Sequence, residues 1–327
     1  MKKKYGFIIV LAVITLIGIF FFKINEKIEF DKEFNKEVFH TKEYYVKDEK
    51  SARKIIRAQG KLMRNEYSDS EIIKVEKYLE DVYKIEAVNL QGIDLETADS
   101  IKVACDYMFR EYPFLAGFIT NITISNEISD NRDILAKYEN FIYITNPNAE
   151  QLYPFVIKKQ ILLNEAEFCN KERMNNLIIR NIKSGFWPEG TSVTSIFVHE
   201  LTHALIDNLI CNKYGLDNNI YITEKNAEAF SNQVSENLSY NQNYAKELCE
   251  SAYENYVKTY DSHCSYQDFC FSISEYGYGS QEDGGISYEE TIAEAMAEYY
   301  INAEDSSLAG KMIISQIEEE IIKLGIR

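Results

Sequence analysis

The chain has 327 residues, 46% of them hydrophobic, with 24 tyrosines and 18 phenylalanines; this excludes a disordered chain and supports one large domain or two modest ones. Thirty-five basic side chains against 52 acidic ones leave a net charge of −17, which excludes a nucleic-acid partner because its phosphates would be repelled. Four prolines and 14 glycines leave little room for flexible linkers.

Three consecutive lysines at 2–4 precede an uncharged run from Tyr5 to Phe22. As a helix the run would be ~27 Å long, near the hydrocarbon thickness of a bilayer. No small-x-small step and no cysteine closes it. The expectation is a single-pass cell-membrane protein: a cytoplasmic tail over 1–4, a transmembrane anchor over 5–22 in contact with the lipid bilayer, and the remainder outside the cytoplasm. A secreted chain, cleaved after the run, is the alternative.

Residues 23–111 are charged and read as a helical stalk or N-terminal subdomain. Ser68 and Glu71 stand at capping-box spacing before Ile72, Val75, Leu79, Val82 and Tyr83. A second helix fits Leu95 to Arg110, with Pro113 beyond its end. Strands are predicted at Phe118–Ile124, Asn140–Thr145 and Phe155–Leu163, from β-branched alternation and the turn residues that follow. A helix over 171–184 follows, with Gly185 behind it. The downstream half reads as helices near 223–239, 240–260, 288–302 and 306–324. Six cysteines contain no Cys-x-x-Cys pair, which argues against a thiolate metal site. Cys264 and Cys270 are the pair closest to a disulfide spacing, and ordinary buried thiols fit equally well.

The stretch Val198-His199-Glu200-Leu201-Thr202-His203 carries the chemistry. Residues four apart share a helix face, so His199 and His203 can both point at one metal ion. Glu200 lies beside them, placed to act as general base on a water that the metal activates. A hydrolytic zinc site wants a third protein ligand. The best donor is the helix starting Glu289-Glu290, where Glu290, Glu294 and Glu298 form an acidic stripe and Ala293 and Ala297 permit close helix packing. Asp207, one turn past His203, is either an acid on the helix surface or a partner that orients a ligand histidine.

These residues resemble a family. The His-Glu-x-x-His stretch followed by Glu290-Thr291-Ile292-Ala293-Glu294-Ala295 is similar to the glutamate-type zincins (gluzincins) related to anthrax lethal factor and the Pro-Pro endopeptidases. Ser274-Glu275-Tyr276-Gly277 resembles the Ser-x-Tyr-Gly segment found before the second motif in that group. The resemblance covers roughly residues 152–303. It implies an α+β fold, mostly helical with a small mixed sheet, in a zincin-like metallopeptidase domain over 112–327. It implies Zn²⁺ held by His199, His203 and Glu290, with Glu294 behind the ligands. It implies Glu200 and Tyr276 as catalytic residues, the tyrosine stabilising the oxyanion. The gap from Tyr276 to Glu290 is longer than the family's, so Tyr278 and Tyr288 stay open for that role. It further implies that Phe155–Leu163 is the edge strand above the cleft. The expected activity is zinc-dependent endopeptidase cleavage of an extracellular protein or peptide substrate. The alternative is a catalytically silent zincin-like binding module at the cell surface.

Overall fold

The computed structural model describes residues 48–62, 69–128, 134–144, 155–213, 221–222, 243–278 and 287–326. Among them no helix is long and apolar enough to cross a membrane. The longest, Val193–Lys213, interrupts its apolar residues with His199, Glu200, His203 and Asp207. The single-pass cell-membrane placement is corrected accordingly. The run 5–22 that suggested it lies outside the described residues, as do Ser68 and the helix expected near 223–239.

Asp48–Arg327 form one compact unit of mainly helical character with a small mixed sheet. Its helices are α1 (Glu49–Leu62), α2 (Ser70–Tyr83), α3 (Leu95–Glu111), α4 (Glu165–Phe168), α5 (Lys171–Lys183), α6 (Val193–Lys213), α7 (243–259), α8 (Tyr266–Phe271), α9 (Tyr288–Asn302) and α10 (Leu308–Leu324). Its strands are β1 (Ala87–Asn89), β2 (Asn121–Ser125), β3 (Ala136–Ile144), β4 (Phe155–Asn164) and β5 (Tyr221–Ile222).

Local chemistry explains the helix boundaries. Asp69, next to the expected Ser68, caps α2 by accepting from the Glu71 amide at 2.8 Å. Asp94 caps α3 through the Thr97 amide at 3.2 Å, and Pro113 lies just past its end. Ser192 and Ser195 cap α6 reciprocally: the Ser192 amide donates to Ser195 Oγ at 2.9 Å and the Ser195 amide to Ser192 Oγ at 3.4 Å. Gly190, with φ +88°, carries the chain into α6 where a Cβ would come within 2.8 Å of Ile301 Cγ2, so only glycine fits.

The sheet order is β1-β2-β4-β3, with β5 on the start of β4. β1, β2 and β4 run parallel, and α3 supplies the crossover from β1 to β2. β3 runs antiparallel to β4, from Ala136 opposite Leu163 to Ile144 opposite Phe155. β4 is therefore paired on both flanks, and Phe155–Leu163 is an interior strand. Among the described residues β3 is the edge strand on the side of the sheet facing α6, with β1 at the far edge, which reverses the expectation. The predicted second strand begins four residues earlier than expected, at Ala136. The first runs over Asn121–Ser125 instead of Phe118–Ile124.

Helix α6 is apolar nearly all round, as a central helix must be. Phe197, Val198, Leu201, Ala204, Leu205 and Leu209 are fully buried. The helix packs against α3, α9 and β3. On α9, Ile292, Ala293, Ala295 and Met296 are also fully buried, and the two alanines let the axes approach. All six cysteines are free thiols, and the Cys264–Cys270 pair is not bridged. Leu205→Ala is expected to remove ~2–5 kcal/mol of unfolding free energy, because the close-packed surroundings cannot collapse into the space; urea unfolding followed by circular dichroism measures it.

Candidate metal centre

One turn of α6 places His199 and His203 on a common face, with their Nε2 atoms 3.2 Å apart. Helix α9 brings Glu290 to the same point. Its Oε2 lies 3.0 Å from His199 Nε2 and 3.7 Å from His203 Nε2. His199 is buried and the other two are half-buried. The three donor atoms form a group that could hold a metal ion.

The tautomer of His199 follows from its second partner. Glu294 Oε1 lies 2.9 Å from His199 Nδ1. A carboxylate only accepts, so Nδ1 carries the proton and the Nε2 lone pair faces Glu290 and His203. Glu290 Oε2 is buried without a hydrogen-bond donor. Three electron-rich atoms thus converge, an arrangement that a cation relieves. Without a metal, a proton can stand in for that cation. Burial lowers the His199 imidazole, but the carboxylates of Glu290 and Glu294 beside it outweigh that and hold the ring well above its ordinary value. Burial lowers His203 too, and the charge of Glu290 more than reverses that. Burial would raise Glu290, yet the two histidines hold it well below the usual carboxylate range.

No known protein family, curated protein or solved structure matches the chain.

Glu200 is 6% exposed, and burial is the main cause that pushes its carboxyl above the ordinary range. Its Oε2 accepts the Tyr138 backbone N–H of β3 at 2.7 Å. The Tyr138 hydroxyl donates to Asp207 Oδ2 at 2.7 Å, and Asn140 Nδ2 reaches the same oxygen at 3.2 Å. Lys159 Nζ lies 3.7 Å from it. Asp207 is therefore a buried anchor that holds the edge strand over the metal helix. It is neither a surface acid nor a partner of a ligand histidine, which corrects both readings of it. Sequence reasoning missed Tyr138, since a backbone donor leaves no side-chain signature.

Of the three candidate tyrosines, Tyr276 is the one at the centre. Its ring lies 5.8 Å from that of His199. Burial first, then the charges of Glu290, Glu200 and Glu294, push its hydroxyl strongly up. Its amide donates to the Phe186 carbonyl at 3.2 Å and its ring lies 5.0 Å from that of Phe186. Tyr278 packs against Phe271 and Tyr288 against Tyr266, and neither lines the cavities at the metal group.

The acidic stripe of α9 divides into three tasks. Glu290 faces the two histidines and Glu294 holds His199. Glu298 turns away and caps α10, accepting the Ser307 amide at 2.7 Å. Two cavities adjoin the metal group. A small one of about 80 Å³ is walled by Leu135, Phe186, Trp187 and Ile196. A larger one of about 390 Å³ runs along β3 past Lys137, Glu139, Asp207 and Glu289.

Proposed function

We propose that the protein is a zinc-dependent metallopeptidase with a zincin-like domain, of the glutamate type. The observation that carries this reading is the triangle of His199 Nε2, His203 Nε2 and Glu290 Oε2, with edges of 3.2, 3.0 and 3.7 Å. Donors bound tetrahedrally to zinc stand about 3.3 Å apart, given metal–ligand lengths near 2.0–2.1 Å. Two neutral imidazoles and one carboxylate are also the donor types that zinc takes in hydrolytic sites.

Zinc held there would keep a fourth position open, polarising a water and a carbonyl that enter it. Glu200 takes the proton that the attacking water gives up and passes it to the departing amine. Burial keeps that carboxyl basic enough for the task, and the Tyr138 amide fixes its orientation. The Tyr276 hydroxyl donates to the carbonyl oxygen as charge develops. Glu294 holds His199 in the ligating tautomer. An extended substrate lies along the outer edge of β3, the strand bordering the larger cavity.

The purified protein is expected to contain one zinc per chain and to cleave members of a broad peptide library, read by mass spectrometry. A protein that takes up no zinc sinks the reading. One that binds zinc and leaves the library intact is a silent zincin-like binding module instead.

A backbone contact gives a sharper check. The Tyr138 N–H points at Glu200 and away from β4, so proline there removes that bond, and with the side chain the hydroxyl's bond to Asp207, but no rung of the ladder. Tyr138→Pro is expected to lower kcat by about tenfold or more, the worth of one hydrogen bond to a charged group. Tyr138→Phe keeps the amide and separates out the hydroxyl's bond to Asp207. Equal losses in the two variants would show that the amide does not matter.

A further inference from the structure

Ser274 lies outside the donor group, yet it is 5% exposed and its one hydroxyl is used twice. Its O–H donates to Glu294 Oε2 at 2.8 Å. The same Oγ accepts the Gly277 N–H at 2.8 Å. Chemistry fixes both directions, because a carboxylate only accepts and an amide N–H only donates.

Each bond leads to a different part of the site. Glu294 uses its other oxygen on His199 Nδ1, so the first bond ends at a metal-facing ring. The second bond closes the turn in which Tyr276 stands. Thr291 Oγ1 donates to the Gly277 carbonyl and fastens the same turn to α9. The packing is close. A Cβ at Gly277 would lie 3.2 Å from Ser274 Oγ and 3.4 Å from Glu294 Cβ.

Building on the peptidase reading above, we propose that Ser274 is a positioning residue. Its single hydroxyl sets both the carboxylate that orients His199 and the turn that presents Tyr276. Removing it leaves Glu294 Oε2 and the Gly277 amide, both in buried residues, without their shared partner. The ligand and the oxyanion donor are thereby coupled through one atom, although neither touches it.

The test compares wild type, Ser274→Ala and Thr291→Val, each also carried in a Tyr276→Phe background. Zinc affinity is read by chelator competition, and kcat and KM on a peptide that the wild type cleaves. Ser274→Ala is expected to weaken zinc binding about tenfold, as loss of an outer partner of a ligand histidine does. It should also lower kcat about tenfold while KM changes little. Thr291→Val loosens the turn alone, so kcat falls and zinc affinity holds. In the Tyr276→Phe background the kcat loss from Ser274→Ala should shrink to under about threefold, since residues that act as a unit are not additive. Unchanged zinc affinity and kcat in Ser274→Ala overturn the proposal, and so does a full kcat loss after Tyr276→Phe. If Ser274→Ala does not fold, Thr291→Val decides, and an unchanged kcat there overturns it. A wild type that binds zinc but cleaves nothing defeats the peptidase reading alone, and the zinc affinity of Ser274→Ala still tests the bond through Glu294. A wild type without zinc defeats both.

Discussion

Glu200→Gln is expected to lower kcat by roughly a hundred- to ten-thousand-fold, the usual contribution of a positioned general base, with zinc still bound. The substitution keeps the side chain's shape. An amide oxygen can still accept the Tyr138 N–H that holds Glu200 now. The donor triangle is built from His199, His203 and Glu290 and does not include Glu200, so metal content should hold. What disappears is the basicity that burial gives this carboxyl. Steady-state cleavage measured beside zinc content on the same preparation checks both halves. Retention of more than about a tenth of wild-type kcat would place the base elsewhere.

Stripping the metal is expected to lower the melting temperature by roughly 8–16 °C. At a thousandfold excess over its dissociation constant a bound ion contributes about 4 kcal/mol. In a domain of this order each kcal/mol moves the midpoint by about 2–4 °C. The sign with pH follows from the histidines. In the metal-free protein His199 and His203 hold their protons above the ordinary value of 6.5, as stand-ins for the cation. A raised folded-state value contributes stability that is fully present below about 6.5 and lost as pH rises through the raised value. The difference between loaded and stripped protein should therefore widen from about pH 6.5 upward. Differential scanning calorimetry with and without chelator, at pH 6 and pH 8, measures it. A difference that narrows with pH would mean the ion is not held by these imidazoles.

The part of the site legible in the sequence was the part with a helical period. His199 and His203 stand one turn apart, and Glu290, Glu294 and Glu298 repeat at four. Ala293 signalled the close approach of α9 to α6, and it is fully buried there. What was illegible depended on tertiary neighbours. Period alone cannot say that Glu298 caps α10 while Glu290 faces the histidines. Sheet order is not a local property, which is why β4 looked like an edge when β2 and β3 flank it. The strand Ala87–Asn89 is too short for an alternation to register, and α8 at Tyr266–Phe271 spans under two turns. Among the described residues no helix is long and apolar enough to cross a membrane, and the apolar run at 5–22 lies outside them.

The distance along the chain between the two halves of the centre has a consequence for its birth. His199 and Glu294, held 2.9 Å apart, lie 95 positions apart in sequence. At a synthesis rate of ~5–20 residues per second, roughly 5–20 s pass between the emergence of the histidine helix and that of the acidic one. During that interval the nascent polypeptide has the histidine pair but lacks the carboxylates that complete the centre. The order of translation thus delays assembly of the centre until the acidic helix has emerged.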